Sequence, residues 1–420
     1  MSRFPFALAA LAALPAIAPP ALAQKAVPVA GGSNFTLTTG GAALTVGTAT
    51  SARVTSLKYQ GVEMLYLNSS GGNILWGSTF WPSPQTNWTS ACKSAGNASC
   101  WPPPAALDGN AYSGGLLAAD TAVSYTGTVD PGTQLRFRKT FSASLKDSSF
   151  TLLYHMVNAS SAPITFAPWE DTRFPSGGIT FWPTGSGAPT GNATMLKQTR
   201  DTLGVTWFAW DSSASLSGST KIFADGGAAG WMAHVDKSRV LYIKKFADTP
   251  PSKKAPGVEN ECEIYITQAL QEMELQGPYT SIPGNDSLAW EVKWYVRKLP
   301  DDIAIGRNKG LADFTARVIA GPTTGSAWQG NRSQNRSAAG IRAGLLGRSL
   351  ALDLPQSMEL AVSFFDARGR ERSRIAAGRF EAGRTWLPLP EDCLNRRGWI
   401  VVRETGTGTT LARMLSYLPG

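Results

Sequence analysis

The chain is poor in histidine, with two in 420 residues, and its four cysteines include no Cys-x-x-Cys pair. That shortage excludes a nitrogen- and sulfur-ligated metal centre of the structural zinc type, and no metal and no cofactor are expected. Neither His155 nor His234 has a serine or cysteine partner in a recognisable motif, so a nucleophilic triad has no support. After the first 23 residues no run approaches the roughly 20 apolar residues that a membrane-spanning helix needs. The glycine-rich pieces DGGAAG at 225–230 and TGSGAP at 184–189 lack the strand-then-helix setting of a phosphate loop and read as turns. Helical periodicity is scarce as well, the best stretch being the short 311–319. Lysine stops at Lys309: from 25 to 309 there are 23 Lys+Arg against 21 Asp+Glu, and from 310 onward 15 against 9, every one of the 15 arginine.

What is present reads as an exported, β-rich protein. Residues 1–23 carry Arg3, an apolar run over 6–17 and Ala-Leu-Ala at 21–23, the pattern of a signal peptide cleaved near Ala23. A secreted or periplasmic location follows, in an oxidising compartment where cysteines can pair. Cys92 and Cys100 flank a Gly-Asn turn and form the natural local disulfide; Cys262 and Cys393 are left open. Strand signals fall at 34–46, 52–59, 134–141, 150–158, 205–210, 230–235, 240–246, 263–276 and 288–297. No helix alternates with them, which favours an all-β fold of antiparallel sheets packed face to face. Length implies two domains. The change in basic residue and the polar, glycine-rich stretch 321–339 divide the chain into a large domain over 25–320, a linker over 321–339 and a small β-sandwich over 340–420. In the small domain Arg368, Arg370, Arg372 and Arg374 alternate, either to discourage edge pairing or to meet an anionic surface.

Three places concentrate chemistry. The stretch 80–109 holds Trp81, Trp88 and Trp101 among prolines that exclude a helix or a continuous strand, so a stiff loop presents flat aromatic faces to a sugar ring or covers an open sheet end. In 270–275 the period of two puts Glu272 and Glu274 on one face and Met273 and Leu275 on the other; a cation, a water network or a ligand would reward the paired acids, and a solvated strand face is the bland alternative. Trp169-Glu170-Asp171-Thr172-Arg173 supplies an acid pair and an arginine, for an internal salt bridge or for a polar cleft facing hydroxyls. His155 shares a strand face with Leu153 and Val157 and reads as packed, with one nitrogen satisfied; His234, near a strand end, is the better candidate for a cleft.

The runs FWPSPQ, WPPP, YHMVNASSAPITFAPWEDTRFPSGG, LYIKKF and QEMELQGPYTSIPGNDSLAWEVKWYV together resemble an uncharacterised bacterial family classed as a domain of unknown function, over most of 30–300. That family is similar in fold to the galactose mutarotase superfamily, the β-supersandwich of aldose epimerases. The resemblance implies a sugar site on the concave face of the larger sheet. There Glu272 or Glu274 stands where the epimerases keep a basic glutamate. Glu170 and Arg173 would join it on the floor, Trp81 and Trp88 as the stacking wall, and Lys245 and His234 nearby. The epimerase acid, a histidine, has no counterpart around 169–173, which puts rapid mutarotation in doubt. The C-terminal part resembles the immunoglobulin-like sandwiches appended to secreted bacterial proteins. The resulting expectation is a carbohydrate-binding or slowly sugar-processing protein, with no nucleic acid partner. An aldose 1-epimerase-type isomerase, or a noncatalytic envelope protein using its basic C-terminal sandwich for surface contact, are the alternatives.

Overall fold

The computed structural model describes residues 26–89, 100–117, 121–210, 220–321, 342–346, 349–354, 356–366, 370–381, 383–390, 393, 398–407 and 410–416. The leader at 1–23, Cys92, the linker from 322 to 339 and Arg368 lie outside them. By internal contacts the chain divides into two compact units, Met1–Thr323 and Thr324–Gly420.

The first unit is antiparallel throughout its described strands, as the alternating sequence leads one to expect. A twelve-stranded sheet runs in the order Val29–Gly31, Asn34–Thr39, Ala42–Gly47, Arg53–Tyr59, Ser78–Ser83, Ile164–Pro175, Leu270–Gln276, Cys262–Ile266, Lys221–Ala224, Thr190–Gly191, with two short strands attached off this path. A ten-stranded sheet has Trp231–Val235, Val240–Phe246, Ser287–Lys298, Ser149–Asn158 and Leu135–Ser144 at its centre. One core joins them, with Leu44, Val54, Phe80, Met273 and Leu275 from the first sheet among Phe137, Leu152, Tyr154, Tyr242 and Trp294 from the second. The far face of the second sheet is covered by the helix Lys309–Ala320, whose Leu311 packs among Phe181, Trp207 and Ile243. Asn308 caps this helix, its side chain accepting from the Leu311 amide at 3.0 Å.

The structure corrects several sequence expectations. The stretch 34–46 is two strands, reversed at Gly40 and Gly41, both at positive φ where a side chain would be strained. The stretch 263–276 likewise splits into Cys262–Ile266 and Leu270–Gln276. The tryptophan segment opens as a strand, Ser78–Ser83, despite Pro82. Pro82 pairs with Pro168 of Ile164–Pro175, so the two missing N–H groups fall on a single rung and the ladder on either side is intact. His155 is half-buried, since Leu153, His155 and Val157 face away from the core that Leu152, Tyr154 and Met156 fill, and its buried Nδ1 has no partner among the described residues.

Within the core one charged pair is sealed. Glu170 points from Ile164–Pro175 toward the second sheet, where Lys244 Nζ lies 3.0 Å away, with Tyr154 and Trp294 donating to the same carboxylate at 2.7 and 3.1 Å. Lys244 also donates to the Met273 carbonyl at 2.8 Å. Both side chains are fully buried, so the pair joins the sheets at the cost of desolvating two ions.

The second unit forms a three-stranded sheet, Arg342–Leu346, Ser349–Leu354 and Gly383–Pro388, and a four-stranded sheet, Glu371–Phe380, Met358–Asp366, Gly398–Glu404 and Thr410–Ser416. Its core is Leu350, Leu352, Val362, Phe364, Ile400 and Val402 with their neighbours. Arg370 and Arg372 both reach Asp366 across the hairpin, and Arg374 reaches Glu371.

Removing one member of a buried ion pair strands the other charge. Lys244→Met should therefore lower unfolding stability by about 3–5 kcal/mol, read as a reduced guanidinium midpoint with unchanged slope; a loss below about 1 kcal/mol would show that Tyr154 and Trp294 alone satisfy Glu170.

Candidate functional site

The site is built on the strand Ile164–Pro175, which alternates its side chains between two buried faces. Glu170, Thr172 and Phe174 point between the sheets; Trp169, Asp171 and Arg173 point to the outer face of the twelve-stranded sheet. Residues paired across antiparallel strands share a face. Asp171 is opposite Glu274, and Glu274 is opposite Glu263, so one rung sets three carboxylates side by side. The adjacent rung reads Arg173, Glu272, Tyr265, Lys221.

Like charges on one rung repel, and two cations offset them. Arg173 donates from Nη2 to Asp171, from Nε to Glu272 Oε1 at 2.9 Å and from Nη1 to Thr79 Oγ1 at 2.8 Å. Lys221 Nζ bridges Glu263 and Glu274, the latter at 2.7 Å, and Trp169 Nε1 donates to the same Glu274 oxygen at 2.8 Å. The Arg173 guanidinium sits 4.9 Å from the Trp81 ring centre and the Lys221 ammonium 5.0 Å from that of Trp169. Burial drives the Asp171 and Glu263 carboxyls well above their ordinary values, and Glu272 upward too, against the pull of Arg173 or Lys221. Burial also disfavours the Lys221 charge, but Glu263 and Glu274 outweigh it and hold that ammonium well above its usual range.

Above the carboxylates the tryptophans pack on one another. Trp81 stands edge-on to Trp169, Trp101 and Trp88 at 5.1, 5.5 and 6.4 Å, and Trp88 Nε1 donates to the Pro82 carbonyl at 2.7 Å. Trp81 and Trp88 are 1% and 0% exposed, so the expected stacking wall is a packed cap instead. The exposed ring is Trp101, at 45%, on a cavity of about 380 Å³ that Trp88, Pro102, Pro104 and Asp130 also line. Cys100 at the end of this segment is disulfide-bonded.

Three of the residues singled out by sequence lie elsewhere. Glu170 is one residue out of phase with Asp171 and Arg173 and occupies the core, paired with Lys244. His234 is also between the sheets, bonded through Nδ1 to Thr180 Oγ1 at 2.9 Å and stacked on Phe174, and burial pulls its pKa down to about 4. Lys245 points away from Lys244 and donates to the Phe246 carbonyl at 2.7 Å. The structure does bring Glu272, Glu274, Arg173, Trp81 and Trp88 together, with Asp171, Trp169 and Trp101 from the same sequence stretches, and adds Glu263 and Lys221. Glu263 was open to the same period-of-two argument as Glu272 and Glu274, since Ile264 and Ile266 fill the core on its strand. Lys221 lies in a four-residue strand too short to show a pattern.

A family model described as a domain of unknown function, DUF4380, matches residues 26–297. Among solved structures, a galactose mutarotase related enzyme from Lactobacillus acidophilus is 8% identical, with TM-score 0.43, over 64% of this chain and 99% of that one. Galactose mutarotase-like proteins from Clostridium acetobutylicum and Lactobacillus casei are each 12% identical with TM-score 0.40, over 63% of this chain and 95% and 100% of theirs. No curated protein sequence matches the chain.

The raised Asp171 carboxyl has a sign that can be read. The folded chain keeps a proton that the unfolded chain releases above its ordinary value of 3.8, so stability falls as pH rises from there toward the folded value. Asp171→Asn removes this contribution, and in EDTA-containing buffer its stability relative to wild type should improve with pH, by up to about 1.4 kcal/mol per pH unit. Denaturation curves at several pH values that run parallel for the two proteins would show that Asp171 is ionised in the fold.

Proposed function

The chain belongs to the DUF4380 family, and from the chemistry of its outer sheet face we propose an exported carbohydrate-interacting protein that binds, or slowly processes, a sugar there. The observation that carries this reading is a cluster of buried polar atoms on that face without partners among the described residues: Trp81 Nε1 and Ser83 Oγ as donors, Asp171 Oδ1, Glu274 Oε1 and Gln276 Oε1 as acceptors. Buried polar groups are normally satisfied. A mixture of unmet donors and acceptors beside indole faces suits hydroxyls, which both donate and accept, attached to a C–H surface that stacks on aromatics. Export is supported by the leader pattern at 1–23.

Within this reading each residue has a role. Glu274, held by Lys221 and Trp169, accepts a sugar hydroxyl; Arg173, fixed by Asp171 and Glu272, orients the ring; Trp101 receives the ligand at the surface. No imidazole reaches the face, since His155 belongs to the opposite sheet's exterior and His234 to the core. Acid help would have to come from a carboxyl such as Asp171. Because well-placed general acid catalysis is typically worth roughly 100-fold or more, binding or slow turnover is the expectation.

Calorimetric titration of the mature chain against mono- and oligosaccharides should find a ligand that Glu274→Gln and Trp101→Ala each weaken about tenfold or more, as the loss of a charged hydrogen bond or a stacking face implies. Wild-type affinity in both variants, or no glycan bound at all, would overturn the proposal.

A further inference from the structure

The outer face carries more negative charge than its cations balance. Asp171, Glu272, Glu274 and Glu263 face Arg173 and Lys221, four carboxyl groups to two cations, so with all four ionised the excess is two negative charges. Glu259, bonded to Gln276 beside Glu263, adds to it, while Lys244 behind the sheet is committed to Glu170. One oxygen from each of Asp171, Glu272 and Glu274 lies within 4.8 Å of the others, about twice a Ca–O bond of roughly 2.4 Å.

Proximity of acids alone would mean little, but the hydrogen bonding gives an independent sign. Asp171 engages Arg173 through Oδ2, and Glu274 engages Lys221 and Trp169 through Oε2. The other oxygen of each, Asp171 Oδ1 and Glu274 Oε1, is buried with no partner among the described residues, and both residues are at most 1% exposed. A second acidic group in the same unit shows the contrast. At Asp225, Asp248 and Glu261, both oxygens of Asp225 accept backbone amides from Ser186 and Gly227, and both oxygens of Glu261 accept those of Gly226 and Thr249.

We propose that Asp171, Glu272 and Glu274 form a binding site for one divalent cation, Ca²⁺ by preference. The ligands are all hard oxygens, which excludes the soft and nitrogen-seeking metals, and an irregular carboxylate set suits the variable six- to eight-fold coordination of Ca²⁺ better than the strict octahedron of Mg²⁺. Two positive charges offset the excess of the four carboxylates around Arg173 and Lys221. Glu272, the least buried of the three ligands at 5%, marks the side of entry. The site stands whether or not a sugar binds on the same face. Since carboxylates must lose their protons to bind metal, Ca²⁺ affinity rises with pH.

The test is equilibrium dialysis of the full mature chain, first stripped with EDTA, against CaCl₂ and separately MgCl₂, with metal counted by mass spectrometry and thermal unfolding followed in parallel. The expected result is one Ca²⁺ per chain, tighter than Mg²⁺, with a raised melting temperature. Glu272→Gln and Asp171→Asn should each weaken binding at least about tenfold, and Asp225→Asn should leave it unchanged. Absence of stoichiometric Ca²⁺ in the wild type at millimolar CaCl₂ would overturn the proposal, and so would full retention in Glu272→Gln. An infrared band of a protonated carboxyl that persists at neutral pH with Ca²⁺ present, and is lost in Asp171→Asn, would show that a proton balances the charge instead.

Discussion

One guanidinium ties three neighbouring strands together on the outer face. Arg173 rises from Ile164–Pro175, binds Asp171 on its own strand, Glu272 on Leu270–Gln276 and Thr79 on Ser78–Ser83, and lays its plane beside Trp81. Only arginine has enough donors in a fixed plane to meet such a set, and a lysine at this position would leave partners unmet. The carboxylate rung next to it is tolerable because this cation and Lys221 flank it. On the reverse side the same strand sends Glu170 to Lys244, so a shift of the strand by one residue would exchange the two charge systems and ruin both.

Those two systems differ in their balance. Between the sheets one acid meets one base, with two further donors on the carboxylate, and nothing is left over. Outside, acids outnumber bases and several buried oxygens lack partners. Natural sequences break rules of local consistency chiefly where function requires it, and on this face unmet carboxylate oxygens coincide with an excess of acids.

Much of the architecture was legible because most strands have one apolar side. Met273 and Leu275 betray the orientation of Glu272 and Glu274, and the apolar positions of 311–319 mark the helix. The strand Ile164–Pro175 escaped because both of its faces are buried and both carry charge, so no alternation of polar and apolar residues survives. Its partners, Lys244 and Lys221, come from distant segments, and only the assembled sheets reveal which face each carboxylate serves. Ser78–Ser83 was hidden by Pro82, whose missing donor costs little where another proline stands opposite. His234 looked like a cleft residue near a strand end, but its position in phase with Met232 sends it inward to Thr180 and Phe174.

The tryptophan cap also has an optical consequence. Trp81 and Trp169, with ring centres 5.1 Å apart and planes at 81°, and Trp101 and Trp88 within 6.4 Å, are close enough for their indole transitions to couple. Such coupling depends on mutual orientation, so the cap should have a circular dichroism signature distinct from that of tryptophans such as Trp207 and Trp294, which pack on phenylalanine or tyrosine. Because Arg173 and Lys221 lie against two of these rings, any event that redistributes charge on the carboxylates beneath would register in that band, and the face carries its own chromophore.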